Sequence, residues 1–188
     1  MTYYGPKEIA AAFRTVRNNT IKVAEEIPEE HYGFRPAPGC RSVGETLVHI
    51  AIMPRLQKQI HFVEQRNTLV GFDFFGVRGA LAAEVQQPRS KAEIPALLRS
   101  EGEEFAASLE GLSESFLAEQ VHYPEGMSPP VKSRFEMLIA PKEHEMHHRG
   151  QLMTIQRMLG ITPHLTRQIE ERMATMQAAA MQKASGDR

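Results

Sequence analysis

Apolar residues recur at intervals of three and four along most of this chain. Ile9, Phe13, Val16, Thr20, Val23 and Ile27 are separated by 4, 3, 4, 3 and 4 residues. That spacing is the inward stripe of one long helix, predicted from about Gly5 to Ile27. Pro28 ends it, and residues 28–41 (PEEHYGFRPAPGCR) are dense in Pro and Gly and read as an ordered loop. Ser42 with Glu45 three residues on forms a capping box. The second helix that it opens carries Val43, Leu47, Ile50, Leu56, Ile60 and Val63 and is predicted to end near Asn67. Residues 68–89 are too long for a tight turn. They are expected to hold a short helix near Gly79–Val85, and they carry Phe72, Phe74 and Phe75; connections of this length are often functional or lids. Ser90 with Glu93 makes another capping box, and Ile94, Leu97, Leu98, Phe105 and Leu109 mark a third helix that stops near Gly111. Residues 112–130 end in HYPEGMSPP and read as loop. A fourth helix is predicted from about Val131 to Leu159, with Gly160 as its stop. Thr162 and Pro163 start a terminal helix, about 163–182, that frays into a polar tail. No segment alternates with a two-residue period, so no strands are expected. The fold class predicted is all-α, a four-helix bundle with an additional C-terminal helix. It forms a single domain over 1–188 with its core at about 5–160.

Composition narrows the function. Of 188 residues, 22 are basic and 23 acidic, a formal net charge of −1. Lys and Arg are scattered, so no nucleic-acid or anionic-membrane partner is expected. No apolar run reaches the ~18 residues of a membrane span. The N-terminal stretch lacks the apolar core of a secretory signal. The lone Cys40 excludes an internal disulfide and a Cys-rich zinc site. These features together predict a cytoplasmic protein.

The candidate chemistry is concentrated in PKEHEMHHRGQL, residues 141–152. His144 and His148 lie four residues apart, which on a helix places them ~40° apart and one turn along. They belong to the stripe Met137, Pro141, His144, His148, Leu152, Ile155 and Leu159, so two polar rings point at the core. A buried imidazole without partners costs roughly 1–3 kcal/mol per unsatisfied group. His49 poses the same conflict on the stripe of Ile52, Leu56, Ile60 and Val63. Three inward histidines on two helices match a three-ligand site for one divalent ion. Three neutral ligands would leave coordination positions open for water or substrate. The alternative is three core histidines bonded to backbone carbonyls. His147, ~60° to the other side of His144, reads as an outer, pocket-lining or exposed residue that could exchange roles with His148. Glu145 and His147 are the candidates for acid–base work, and Glu45, four residues before His49, is either an outer partner of that ring or only the capping acid. Pro54 and Pro141 are each expected to kink a helix, and Gly150 to permit close helix approach. Cys40 reads as a plain loop thiol, and His31, His61, His122 and His164 carry no spacing that argues for a role.

His144-Glu145-Met146-His147-His148 also spells H-E-x-x-H, the zinc-peptidase pattern. That reading needs a downstream third ligand (Glu170, Glu171 or His164) and a sheet to bind peptide, and it places Glu145 at the ion. With Glu145 ~100° from His144 and no strands predicted, the match is taken as coincidental.

HYGFRPAPGCRSVGETLVHI (31–50) and HEMHHRGQLMTIQRMLG (144–160) resemble the DinB-like superfamily of metal-binding four-helix bundles, which includes thiol-dependent S-transferases and isomerase-type enzymes. The resemblance covers roughly residues 5–160. It implies one ligand from the second helix and two from the fourth, here His49, His144 and His148, around zinc, nickel, iron or manganese. It also implies a homodimer acting on a small-molecule substrate. The expected activity is transfer of a low-molecular-weight thiol, such as bacillithiol, mycothiol or glutathione and not Cys40, to an electrophile. A metal-dependent hydrolase of the same fold, or a non-enzymatic stress-associated metal-binding dimer, is the alternative.

Overall fold

The first stripe forms its helix: α1 spans Pro6–Glu26, with Pro6 at its first turn, where a missing N–H costs nothing. The structure, a computed structural model, describes the backbone of residues 4–186 and the side chains of residues 4–183; the expected domain bounds at 1 and 188 lie outside the described residues. The loop after α1 is ordered, as expected. A 3₁₀ turn at Glu29–His31 is followed by main-chain bonds from Gly44 to Tyr32 and from Val43 to Phe34, and the Tyr32 hydroxyl donates to Ala24 O at 2.7 Å.

The second predicted helix is broken. α2 spans Val43–Ile52 and α3 Pro54–Lys58, followed by a π turn at Gln59–Val63. Pro54 has no N–H for the carbonyl four residues back, and that carbonyl, Ile50 O, instead accepts from Arg17 Nη2 at 3.2 Å. In the π turn Glu64 N bonds Gln59 O, five residues back. The phase slips accordingly, and Val63, read as core from its spacing, is 67% exposed. Pro141, by contrast, lies inside an unbroken helix.

The 68–89 connection holds α4, Phe74–Val85, which starts earlier than the short helix expected near Gly79–Val85. The Asp73 carboxylate caps it by accepting from Gly76 N at 2.9 Å, a signal that the sequence reading passed over. Leu81 and Val85 bury against the main core, whereas Phe75 is 87% exposed. α5 spans Glu93–Glu110 behind the Ser90–Glu93 box. Next come α6, Glu114–Ala118, and a hairpin of β1, Gln120–His122, with β2, Val131–Ser133, in register Gln120↔Ser133. The hairpin corrects the expectation of no strands and moves the start of the fourth helix: three-residue strands are too short to show a period. α7 spans Arg134–Met158 behind a capping box of Ser133 and Glu136, and α8 spans His164–Gly186.

α1, α2, α5 and α7 pack as the expected bundle. One core cluster joins Ile27, Leu47, Ile50, Leu98 and Leu152. A second surrounds Phe13 and Phe105, whose rings meet edge-on at 5.0 Å; each is worth roughly 1.5–3 kcal/mol by burial. At the centre sits an ion pair. Arg17 and Glu145 are 3% and 1% exposed, with Nη2 and Oε2 2.9 Å apart. The same guanidinium donates to Leu98 O and Ile50 O, so one side chain ties α1 to α7, α5 and α2. Gly102 makes room for it, since a Cβ there would stand 2.7 Å from Arg17 Cγ. No helix among the described residues is long and apolar enough to cross a membrane.

Candidate metal centre

His49 lies in the last turn of α2, and its position is set by the cap at the other end of that short helix. Ser42 N donates to Glu45 Oε2 at 2.8 Å, and Glu45 N donates to Ser42 Oγ at 3.2 Å. His144 and His148 stand one turn apart on α7, facing it. Nε2 of His49 and Nε2 of His144 are 3.0 Å apart, and Nε2 of His144 and Nε2 of His148 are 3.1 Å apart. Ligand atoms of the three rings all lie within 4.8 Å of one another. Nitrogens bound tetrahedrally to one zinc ion at 2.0–2.1 Å are separated by roughly 3.3 Å, so the three rings have the spacing that a shared ion requires.

The proton inventory points the same way. Burial, reinforced by Arg41 and by the neighbouring rings, pushes His49 down to about 3. Burial and His148 push His144 down to about 4. Burial lowers His148 as well, partly opposed by its bond to Gln151. The rings are therefore neutral near pH 7, with one N–H each. His148 Nδ1 uses its proton on Gln151 Oε1 at 2.8 Å, which leaves His148 Nε2 a bare lone pair. A proton on His144 Nε2 can serve either neighbour, not both. A cation shared by the three nitrogens satisfies all of them, and the donor set fits one divalent ion.

Gln151 was passed over in the sequence reading, although its position three residues after His148 places it on the same face. It orients the His148 ring and selects its tautomer, as outer hydrogen bonds commonly do for metal-binding histidines. Its amide nitrogen is 3.1 Å from Nε2 of His147, which is exposed. Glu145 is not brought to the centre, because both its oxygens are bound by Arg17. For the peptidase pattern, the Glu that should activate water faces the other side of α7. His164 is buried and bonded to Asn19 at 3.1 Å, and Glu170 and Glu171 are exposed on α8. Glu45 is the capping acid and pairs with Arg35 at 2.6 Å; no bond links it to His49. The expectation for Gly150 is corrected, since a Cβ there would meet nothing within 4 Å, and no close helix approach depends on it.

Two recesses open beside the centre. One, of about 580 Å³, is lined by His148, Gln151, Thr46, Met158, Arg41 and the exposed Cys40, among others. The other, of about 90 Å³, is lined by His49, Met53, Leu81, Arg78 and Arg41. Cys40, read as a plain loop thiol, thus sits on the wall of the larger recess.

Comparisons with known proteins place the fold. The chain is 26% identical over 155 residues to the Bacillus subtilis (strain 168) protein YjoA, described as uncharacterized, with 82% of this chain and 91% of that protein aligned. The crystal structure of YjoA, described as a DinB-like protein, superposes with a TM-score of 0.60 at 24% identity over 82% of this chain and 94% of that one. An uncharacterized protein from Clostridium difficile 630 gives a TM-score of 0.64 at 14% identity, covering 84% of this chain and 98% of its own. A Streptococcus pneumoniae protein gives 0.63 at 17%, covering 84% and 93%. At these identities the structures share the fold alone. The DinB superfamily model matches residues 12–152, a span that takes in most of the bundle and all three histidines, and the chain belongs to the DinB superfamily.

Proposed function

We propose that His49, His144 and His148 hold one divalent ion (zinc, nickel, iron or manganese) and that the protein is a metal-dependent enzyme transferring a low-molecular-weight thiol to an electrophilic small molecule. The observation that carries this reading is the convergence of three neutral imidazole nitrogens beside an open recess. When bound, the ion would supply Lewis acidity, favouring the thiolate form of a thiol or bringing a water pKa toward ~7.

The chain's own residues would do the rest. Three neutral donors leave the ion's charge uncompensated and its remaining positions open, the pattern of catalytic and not structural sites. The recess of about 580 Å³ lies within the roughly 300–1,000 Å³ of small-molecule sites. Gln151 fixes the lone pair that His148 presents. With Glu145 committed to Arg17, His147 is the remaining candidate for proton transfer beside the centre. The same reading takes the protein as a cytoplasmic homodimer that engages neither nucleic acid nor membrane.

A screen of zinc-, nickel-, iron- and manganese-loaded protein against thiol cofactors and electrophiles tests the proposal. Thiol consumption that needs the metal supports it. Tight metal binding with no turnover of any thiol would remove the transferase assignment and leave the centre.

A further inference from the structure

The walls of the metal centre carry an unusual balance of charge. None of the residues lining the two recesses is acidic, whereas both recesses share Arg41 and the smaller one adds Arg78. The three histidines contribute no negative charge either. Many arginines elsewhere are ion-paired: Arg17 pairs with Glu145, Arg35 with Glu45, Arg55 with Glu84 and Glu101, and Arg89 with Glu84, while Arg149 and Arg157 donate to main-chain oxygens. Among the described residues, Arg41 has no hydrogen-bond or ion-pair partner, and the contact that Arg78 makes is with the face of Phe74, 5.4 Å from the ring centroid.

Two elements deliver these side chains to one place. Arg41 immediately precedes Ser42, the cap of α2, and His49 ends that same helix. Arg78 is carried by α4, which packs on α2 through Leu81 and Val85. Both guanidinium groups therefore flank the recess that has His49 in its wall. A planar guanidinium forms paired charge-assisted bonds with oxyanions. Phe74 stacks on Arg78 and limits the directions in which it can reach.

We propose that Arg41 and Arg78 form a clamp for an anionic group, a carboxylate or a phosphate, on the small molecule that reaches the three-histidine centre. The inference rests on the reading of that centre as an open metal site. The ligand it selects carries a metal-seeking donor at one end and an oxyanion at the other. Neutral and cationic analogues lack the second anchor, and like charge opposes the cationic one. Positioning by the two arginines leaves metal affinity to the histidines.

The test uses the full chain loaded with Co²⁺, whose visible absorption reports a new donor at the ion. Three thiols of similar size are titrated: 3-mercaptopropionate, 2-mercaptoethanol and 2-aminoethanethiol. The expected order of affinity is anionic, then neutral, then cationic. Arg41→Gln and Arg78→Gln are each expected to weaken 3-mercaptopropionate about tenfold or more, the scale of a hydrogen bond to a charged group, while 2-mercaptoethanol binding and cobalt stoichiometry stay at wild-type values. Equal losses for the anionic and neutral thiols, or an unchanged anionic affinity in both variants, would overturn the clamp while leaving the thiol reading intact. If no thiol alters the cobalt spectrum, the thiol reading fails by itself. Calorimetric titration of glutarate and of inorganic phosphate then decides the clamp: binding abolished in the double variant supports it and shows which oxyanion is preferred, and absence of binding to wild type overturns it.

Discussion

His61 and the trio of His49, His144 and His148 share lowered pKa values, with His61 and His49 buried and His144 and His148 half-buried, yet their ring nitrogens meet different things. His61 is 1% exposed and pushed down to about 3 by burial and by Arg134. Its Nδ1 accepts from Arg134 Nη1 at 2.9 Å, and its Nε2 donates to Gln57 Oε1 at 3.0 Å. Both nitrogens are satisfied within the protein, and Arg134 is held in turn by Glu119 at 2.9 Å. In the trio, the Nε2 atoms face one another. A lowered pKa therefore does not distinguish a core histidine from a candidate metal ligand. The distinction is whether the second nitrogen of each ring has a partner of complementary sign.

The largest effect should separate the two regions outright. Alanine at His49, His144 or His148 is expected to abolish metal occupancy of protein purified without an affinity tag, read by elemental analysis, and to remove the stabilisation by added metal, about 4 kcal/mol at a thousandfold excess over Kd. His61→Gln should keep wild-type stoichiometry, and His147→Ala should lose far less metal than His148→Ala. Equal losses at His147 and His148 would reassign the ligand.

Next in size is the converse experiment on the satisfied ring. His61→Leu leaves a buried Arg134 N–H without its acceptor and should cost roughly 1–3 kcal/mol in chemical denaturation, equally with and without metal. A cost that vanished on metal loading would tie His61 to the centre and blur the comparison.

Gln151→Ala tests the link between the ligands and their surroundings. Loss of the bond to His148 Nδ1 is expected to weaken metal binding about 10- to 100-fold, measured by competition with a chromophoric chelator, without shifting the melting temperature of the metal-free protein by more than a few degrees. Unchanged affinity would show that the ring is oriented by packing alone.

The last test reads a slope. His61 titrates near 6.5 when unfolded and at about 3 when folded. Between those values the unfolded chain binds a proton that the folded chain refuses. Its contribution to stability is therefore complete above pH 6.5 and declines as the pH falls toward 3. The metal-free His61→Leu variant should lose stability less steeply than wild type across that window; parallel curves would place the buried imidazole outside the acid response.

The fold could be read from the sequence where the information is local. The stripe from Ile9 to Ile27, the boxes at Ser42 and Ser90 and the breaks at Pro28 and Gly160 each act within one or two helical turns, and each set a helix start or end where expected, although the helix opened at Ser42 breaks at Pro54. So did the His144–His148 pair, because four residues on a helix fix an angle and a rise whatever surrounds them. The signals that were missed were weak or unweighed. Asp73 and Ser133 are ordinary capping residues, and the hairpin of residues 120–133 is too short for a period.

What the sequence alone determined is which faces of most helices point inward, and therefore that three imidazoles would be turned toward the bundle, His49 buried and His144 and His148 half-buried. Tertiary structure decided what each polar group meets there. It gave Glu145 to Arg17 and not to the ion, supplied both nitrogens of His61 with partners, and turned Ile50 O, freed by Pro54, toward a guanidinium 33 residues away. It also brought Arg41, from the loop before α2, and Arg78, from α4, to the same recess. The reason is physical. Helical spacing sets the direction of a side chain relative to its own axis, whereas a hydrogen bond or ion pair depends on the position of a second chain segment to within a few tenths of an ångström, and only the packed bundle sets that.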